Sequence, residues 1–288
     1  MIPRMRVELM RDPENTQNCL ELVNHRLLSK SGKEYELMDH FPVLVDLESI
    51  TGDDKKFSEQ YKNVASMYDI YSKFLFEMVG EDEQEARAYL TSLVEVSEGA
   101  KVLEVSAGTG LNIPHLREVV GSSGEIHALD LSREMLELAC TKNLDHKNVF
   151  FYLANASYLP FPDESFDAVF HLGGINTFSD IPRALAEFHR VVKKGGKVVV
   201  IDEGMQPNIR ETEYGRTALM TNQLYAAQPP LEHIPTTARE LRLSWVGGGI
   251  FYVLEYVKGD PFVLNREVKV PGENRTLGEY LDDLTANS

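Results

Sequence analysis

Residues 102–110 read VLEVSAGTG, an apolar run that contains one carboxylate and is followed by two closely spaced glycines. Three of its first four residues are apolar, which favours a buried strand of a parallel sheet. Gly108 and Gly110 predict a turn in which backbone N–H groups face a ligand at the start of a helix. Glu104 is costly inside such a strand unless it meets a polar partner. The stretch therefore indicates a site for a nucleotide-like cofactor, with Glu104 directed at the ligand or at the amides of the turn.

The chain around this stretch alternates short apolar strands with helical segments, which predicts an α/β fold. We expect a Rossmann-like sheet of seven strands with helices on both faces and an antiparallel final hairpin. The predicted strands are residues 101–106, 125–130, 148–154, 166–171 and 197–202, then 241–246 and 250–257 around three glycines. Ser132 and Asp180 are expected to be helix N-caps, and Gly195 and Gly196 to end the helix before the fifth strand.

The remaining segments predict three additions to this domain. Residues 1–55 form a small β-rich appendage with strand-like fragments at 21–28 and 41–46, residues 56–260 form the main domain, and 261–288 form a C-terminal tail. Residues 205–235 are expected to fold as a helical lid over a small organic substrate, with a surface helix that packs on the sheet as the alternative. Aromatic residues at helical spacing between 57 and 76 favour core packing, with contact to cofactor or substrate as the alternative.

Composition limits the classes of function. The chain has 288 residues, 43% of them hydrophobic and 26% charged, and no apolar run long enough to span a membrane. Its formal net charge of −16 disfavours a nucleic-acid partner, since phosphate binding relies on clustered Lys and Arg. Cys19 and Cys140 form no metal or disulfide pattern. We expect a cytoplasmic protein without a secretory signal and without stable membrane insertion.

The stretch at 102–110 fails the dinucleotide fingerprint, because Ile113 stands where a third glycine is needed. It resembles the E/D-x-G-x-G-x-G signature of class I S-adenosylmethionine-dependent methyltransferases, with Ser106 at the first glycine position. LPFPDESFDAVF at 159–170 and RVVKKGGKVVVIDEG at 190–204 are similar to further segments of that family. The resemblance covers residues 57–258 and is nearest to the ubiquinone and menaquinone C-methyltransferase branch. The appendage weakly resembles a zinc-ribbon-like domain that has lost its metal cysteines, so no metal is expected.

The resemblance implies S-adenosyl-L-methionine as cofactor and S-adenosyl-L-homocysteine as product. Asp130 ends the second strand, where a carboxylate can accept both ribose hydroxyls. Asn155 stands at the position where the family has an acidic residue near the adenine amine. The expected cofactor-binding residues are Tyr61, Glu104, Ser106, Ala107, Gly108, Gly110, Asp130, Leu131, Asn155, Ala156 and His171.

The expected reaction is in-line transfer of a methyl group to a small organic acceptor, in which positioning supplies much of the rate. A phenol or carbon acid would also need a base. His171 is the first candidate for that base, with Glu203 and His233 behind it, and Gly173 and Asn176 are further pocket candidates. Methylation of a protein or RNA, and binding of the cofactor without catalysis, remain alternatives, and a homodimer is left open.

Overall fold

The computed structural model describes residues 4–286. Its strands are β1 (Arg11–Asp12), β2 (Asn15–Val23), β3 (Arg26–Ser29), β4 (Glu34–Tyr35), β5 (Lys101–Val105), β6 (Glu125–Asp130), β7 (Val149–Leu153), β8 (Phe166–Leu172), β9 (Val192–Glu203), β10 (Ala238–Val246) and β11 (Phe251–Lys258). Its α-helices are α1 (Gly52–Val64), α2 (Tyr68–Met78), α3 (Glu83–Ser92), α4 (Ile113–Val120), α5 (Arg133–Lys142), α6 (Ile181–Val191), α7 (Glu213–Thr221) and α8 (Leu277–Ala286).

The large sheet has the strand order β10-β11-β9-β8-β5-β6-β7. Its strands are parallel except β11, which is antiparallel to both of its neighbours. The predicted seven-stranded sheet with an antiparallel final hairpin is therefore confirmed. Strand order reverses at β5, which has β6 on one side and β8 on the other. Open α/β sheets bind ligands at the carboxyl ends of the strands beside such a reversal.

Helices cover both faces of this sheet. On one face, α3, α4 and α5 bury apolar side chains against β5, β6 and β7. On the other face, α6 packs beside side chains of the N-terminal strands. Ser132 and Asp180 cap α5 and α6 as predicted, because their side chains accept hydrogen bonds from the amides of Met135 and Arg183.

The predicted end of α6 at Gly195 and Gly196 is wrong. The helix ends at Val191, and β9 begins at the next residue. Both glycines lie in an irregular part of β9, where its register with β8 shifts. A Cβ on Gly196 would lie 2.5 Å from the carbonyl oxygen of Asp167, so the absence of a side chain permits this close approach of the strands.

The N-terminal appendage forms a four-stranded antiparallel sheet of β1 to β4. Asn24 and His25, both with positive φ, form the two-residue turn between β2 and β3. The fragment 41–46 is not a strand, contrary to expectation. It forms one parallel bridge to the edge of β7, where the Leu44 amide donates to the Leu153 carbonyl at 2.7 Å. The domain boundary expected after residue 55 falls inside α1.

The appendage shares a core with the main sheet, because Met10, Leu20 and Leu27 belong to the same buried cluster as Tyr152 and Phe161. Among residues 4–286, no group of three or more His, Cys, Asp or Glu side chains is arranged to hold a metal ion. Every helix in that part of the chain is too short or too polar to traverse a bilayer.

Candidate functional site

A cleft of about 80 Å³ lies at the carboxyl ends of β5 and β6, which we call the β5–β6 cleft. It is lined by Asp54, Phe57, Ser58, Tyr61, Tyr68, Ser106, Gly108, Asp130, Leu131, Ser132, Met135, Gly173, Gly174, Thr177 and Phe178. Five residues that the sequence assigned to the cofactor are among them: Tyr61, Ser106, Gly108, Asp130 and Leu131. Small-molecule sites usually exceed about 300 Å³. The cleft is therefore smaller than a typical small-molecule site.

Asp130 organises the floor of the cleft. Its carboxylate accepts the amide of Gly108 at 2.8 Å and the amide of Ser132 at 2.7 Å. Burial raises the pKa of this carboxyl, and the backbone hydrogen bonds oppose that rise. The side chain thus joins the glycine turn after β5 to the start of α5, with its carboxylate at the cleft where a pair of hydroxyls can be bound.

Ser106 has a left-handed backbone conformation, with φ of +58°. Such a conformation costs an L-residue roughly 1–2 kcal/mol, which explains why a glycine suits this position. Ser106 lines the cleft, so its hydroxyl is available to a ligand. The serine that departs from the signature is therefore a strained residue placed at the site itself.

Replacing Ser106 by glycine is expected to stabilise the protein by about 1 kcal/mol, because the strain relieved exceeds the extra freedom of glycine in the unfolded chain. The melting temperature should rise by roughly 2 °C. Ser97→Gly is the control, since Ser97 is not among the residues with positive φ. A lower melting temperature for Ser106→Gly than for the wild type would contradict the assignment of strain.

Glu104, Ala107 and Gly110 do not line the cleft. The Glu104 carboxylate is buried and accepts a hydrogen bond from the Asn112 side-chain amide at 2.9 Å. Its second oxygen, Oε2, has no hydrogen-bond partner among the described residues, and burial raises the pKa of the group to about 7. A Cβ on Gly110 would crowd Ala139 of α5, so this glycine allows the turn to pack on that helix.

The assignment of Asn155 and Ala156 to the cofactor disagrees with the structure. Ala156 is buried, and the Asn155 side-chain amide donates to Asp54 at 3.0 Å instead of lining the cleft. The other Asp54 oxygen accepts the Ser179 amide at 2.9 Å. Asp54, at the start of α1, therefore ties this helix over the cleft and stands between Asn155 and the ligand space.

His171 is excluded as a base by its hydrogen bonds. The side chain is fully buried, with Nδ1 3.0 Å from the Val105 carbonyl and Nε2 3.0 Å from the Ile175 amide. These partners require a neutral ring that donates from Nδ1 and accepts at Nε2. Burial lowers its pKa to about 4. The ring supports the turn after β8 and lines neither the β5–β6 cleft nor the larger cavity beside that cleft. His233 also lines neither of these two spaces.

This assignment of His171 predicts a pH-dependent stability. The unfolded side chain binds a proton below a pKa of about 6.5, and the folded one only below a pKa of about 4. The contribution of the neutral ring to the free energy of unfolding is therefore complete above pH 6.5 and is lost as pH falls towards 4. Between pH 7 and pH 5 the loss should be about 2 kcal/mol. Urea unfolding of His171→Gln should show a smaller pH dependence than the wild type. The exposed His40→Gln variant should behave like the wild type, and equal slopes for His171→Gln and the wild type would disprove the assignment.

A second cavity of about 520 Å³, which we call the apolar cavity, lies beside the β5–β6 cleft. Helices α2 and α3 supply most of its wall, and the segment between them, the ends of β8, β9 and β10 and the start of β11 supply the rest. Tyr68 and Gly173 line both spaces. Burial raises the pKa of Tyr68 to about 12, so its phenol is a hydrogen-bond donor at neutral pH. A cofactor and an acceptor bound in the two spaces would therefore meet at these residues.

The expected lid at 205–235 does not line the apolar cavity. Its helix α7 instead packs through Ala218 against Met205, Tyr225 and Ile250. The two spaces are instead covered by the aromatic segment at 57–76, which forms most of α1 and α2 and for which core packing was favoured. Within this segment, Phe57, Tyr61 and Tyr68 line the cleft, and Tyr68, Tyr71 and Phe76 line the apolar cavity. The helical spacing of these aromatic residues is the sequence signal that could have found them, but such spacing more often indicates packing in a core.

Glu203 is the carboxylate that the sheet contributes to the apolar cavity. The other acidic lining residues, Glu81, Asp82 and Glu85, come from the region where α2 ends and α3 begins. The neighbouring Asp202 is fully buried and accepts the amides of Gly174, Asn176 and Glu203. Burial and the nearby Glu203 charge raise the pKa of Asp202 well above its usual value. Asp202 thus shapes the turn after β8, and Glu203 is the group that can meet an acceptor.

Comparison with known proteins gives a consistent family match. The profile of the ubiE/COQ5 methyltransferase family matches residues 50–216, more than half of the chain. A demethylmenaquinone methyltransferase of Staphylococcus epidermidis is 35% identical over 149 residues, which are 52% of this chain and 60% of that protein. A ubiquinone/menaquinone biosynthesis C-methyltransferase of Hahella chejuensis is 38% identical over 110 residues, 37% of this chain and 44% of that protein. The matches thus span less than two thirds of the length of these relatives.

Solved structures share the fold at low sequence identity. Phosphoethanolamine N-methyltransferase 2 of Haemonchus contortus, solved in complex with S-adenosyl-L-methionine, matches with a TM-score of 0.56 and 14% identity over 74% of this chain and 61% of its own. A chain from the complex of the Haloferax volcanii Trm112 methyltransferase activator with a methyltransferase matches with a TM-score of 0.51 and 14% identity. That match covers 74% of this chain and 98% of the other.

Proposed function

Because the chain belongs to the ubiE/COQ5 methyltransferase family, we propose that it transfers a methyl group from S-adenosyl-L-methionine to a ring carbon of a small quinol-type acceptor. The names of the relatives from Staphylococcus epidermidis and Hahella chejuensis support a quinone-related acceptor. The observation that carries the proposal is the pair of adjoining spaces, a polar cleft at the strand reversal and a larger apolar cavity, which share Tyr68 and Gly173.

The residues of the β5–β6 cleft fit an amino-acid-bearing nucleoside. We propose that Asp130, which lines the cleft, accepts two ribose hydroxyls, and that the glycine turn allows close approach of the backbone to the ligand. Glu104, buried in the strand that precedes that turn, has an unpartnered oxygen that is suited to a cationic amino group, because such a partner would offset the cost of its burial. Helix α1 covers the site from above through Asp54 and Tyr61. We infer that this helix opens for the cofactor and then excludes water.

When bound, S-adenosyl-L-methionine supplies an electrophilic methyl group on a positively charged sulfur. The apolar walls hold the acceptor ring, and Tyr68 fixes its position at the junction of the two spaces. Glu203 accepts the proton of a ring hydroxyl, which makes the adjacent ring carbon nucleophilic. After methylation that carbon loses its own proton to solvent, which restores the aromatic ring as a phenolate, and the protonated Glu203 then returns its proton to the ring oxygen. We propose Glu203 as the base for this reason.

The proposal is tested in two steps. Calorimetry with S-adenosyl-L-homocysteine should show binding at one site, and cofactor with a labelled methyl group should then label a 1,4-naphthohydroquinone that has an unsubstituted ring carbon. Total RNA and a protein extract serve as alternative acceptors. Label in either of these and none in the quinol would favour the alternative acceptors. Tight binding with no labelled product would favour a non-catalytic cofactor-binding protein, and no binding would exclude the proposal.

Two further statements rest on composition. We propose a cytoplasmic location because Cys19 and Cys140 are both unpaired, which suits a reducing compartment. We also propose that nucleic acid is not the acceptor, since the net charge is −16.

A further inference from the structure

A buried polar chain connects the helices of the apolar cavity to the glycine turn. Arg87 of α3 is 3% exposed, and its guanidinium donates to Glu83 at 2.9 Å and to Ser72 of α2 at 2.6 Å. Ser72 also donates to Glu83 at 2.6 Å. A third guanidinium contact reaches the side-chain oxygen of Asn112, just before α4. Arg87 therefore bridges α2 and α3 to the loop that follows β5.

The chain ends at the carboxylate of Glu104. The Asn112 side chain uses its oxygen for Arg87 and its amide for Glu104, so its orientation is set from both ends. Glu104 consequently has one oxygen held by Asn112 and one, Oε2, with no hydrogen-bond partner among the described residues. A carboxylate that is buried in this way needs a cation nearby, and Arg87 is the cation that the fold supplies.

We propose that Arg87 is a positioning residue that acts through Asn112 to hold Glu104 as the anionic partner of the cofactor's amino group. The inference rests on the proposed function, because it concerns how the same cofactor is bound. Arg87 lines the apolar cavity and Glu104 lies in β5, the strand at whose carboxyl end the β5–β6 cleft opens, so the chain links the wall of the cavity to that strand.

The charged groups around Glu104 set the expected direction of change. Burial raises its pKa to about 7, the Asn112 hydrogen bond and the Arg87 charge lower it, and the Asp130 charge raises it. Without Arg87, Glu104 would remain protonated to a higher pH. Since the amino group binds the carboxylate form, affinity for the cofactor should then rise only at a higher pH.

The test measures the affinity for S-adenosyl-L-homocysteine by calorimetry from pH 5.5 to 8.5. For Arg87→Met, the pH at which affinity reaches half of its maximum should move up by about one unit, with roughly tenfold weaker binding near pH 6. At pH 8.5 the affinity should be within about twofold of the wild type. Because both proteins bind the same ligand, titration of the ligand cancels in the comparison.

Two further variants separate charge from packing. Arg87→Lys keeps the positive charge, so the pH at which its affinity reaches half of the maximum should stay close to the wild-type value. Glu83→Gln breaks the same cluster but removes a negative charge, so its midpoint should not rise. If Arg87→Met lowers affinity equally at every pH, or if Glu83→Gln raises the midpoint as much, Arg87 serves only packing and the inference is wrong. Absence of ligand binding by the wild type would instead refute the proposed function.

Discussion

Replacing Asp130 by alanine is expected to weaken binding of S-adenosyl-L-homocysteine by about 100-fold or more. Hydrogen bonds to a charged group contribute about 1.5–3 kcal/mol each, and two ribose hydroxyls would lose theirs together. The same carboxylate also holds the amides of Gly108 and Ser132, so the turn that faces the ligand would loosen as well. Isothermal titration calorimetry at neutral pH measures the effect directly.

The matched control for this variant is Asp145→Ala, since Asp145 is exposed and lines neither cavity. The control should bind as the wild type does. Circular dichroism and thermal melting establish that Asp130→Ala is folded. A folded Asp130→Ala protein that binds within about threefold of the wild type would exclude Asp130 as the ribose ligand.

Replacing Glu203 by glutamine is expected to slow methyl transfer by about 10²–10⁴-fold, the usual contribution of a general base. Affinity for S-adenosyl-L-homocysteine should stay within about twofold, because Glu203 lines the apolar cavity and not the β5–β6 cleft. The variant should also keep its melting temperature, because removing this charge relieves its repulsion of Asp202. Single-turnover measurement of methyl transfer with saturating cofactor isolates the chemical step.

Glu232→Gln is the control for Glu203→Gln, because Glu232 is exposed on a surface turn. It should transfer methyl groups at the wild-type rate. If Glu203→Gln retained a rate within about fivefold of the wild type, Glu203 would not be the base. A reduced rate that recovers as pH rises would indicate that the acceptor ionises in solution before it binds.

The fold was predictable because its signals are local. Apolar strands, capping residues and the turn around Gly108 each act within a few residues, and the position of Asp130 follows from the end of a strand. Contacts that join distant segments were missed. Asp54 meets Asn155 across 101 positions, and no periodicity in either segment indicates that pairing.

His171 is a second example of this limit of sequence-based prediction. Its position at the end of β8 was predicted correctly, and this position alone suggested a role as a catalytic base. Its role depends on the rings of Phe178 and Phe188, which pack beside it, and on two backbone groups that occupy its nitrogens. Tyr68 was undervalued for the opposite reason, because an aromatic residue at helical spacing more often enters a core than the junction of two cavities.

The two edges of the large sheet are protected from pairing with other chains in different ways. At β7, the segment around Val43 occupies the free backbone groups near Leu153. At β10, the register with β11 shifts between Arg239 and Arg242, and the charged residues Glu240 and Arg242 are exposed in this irregular part of the strand. Irregular, charged edges resist the stacking of strands into fibres. The N-terminal appendage thus covers part of an apolar edge strand whose backbone groups would otherwise be open to a strand of a second molecule.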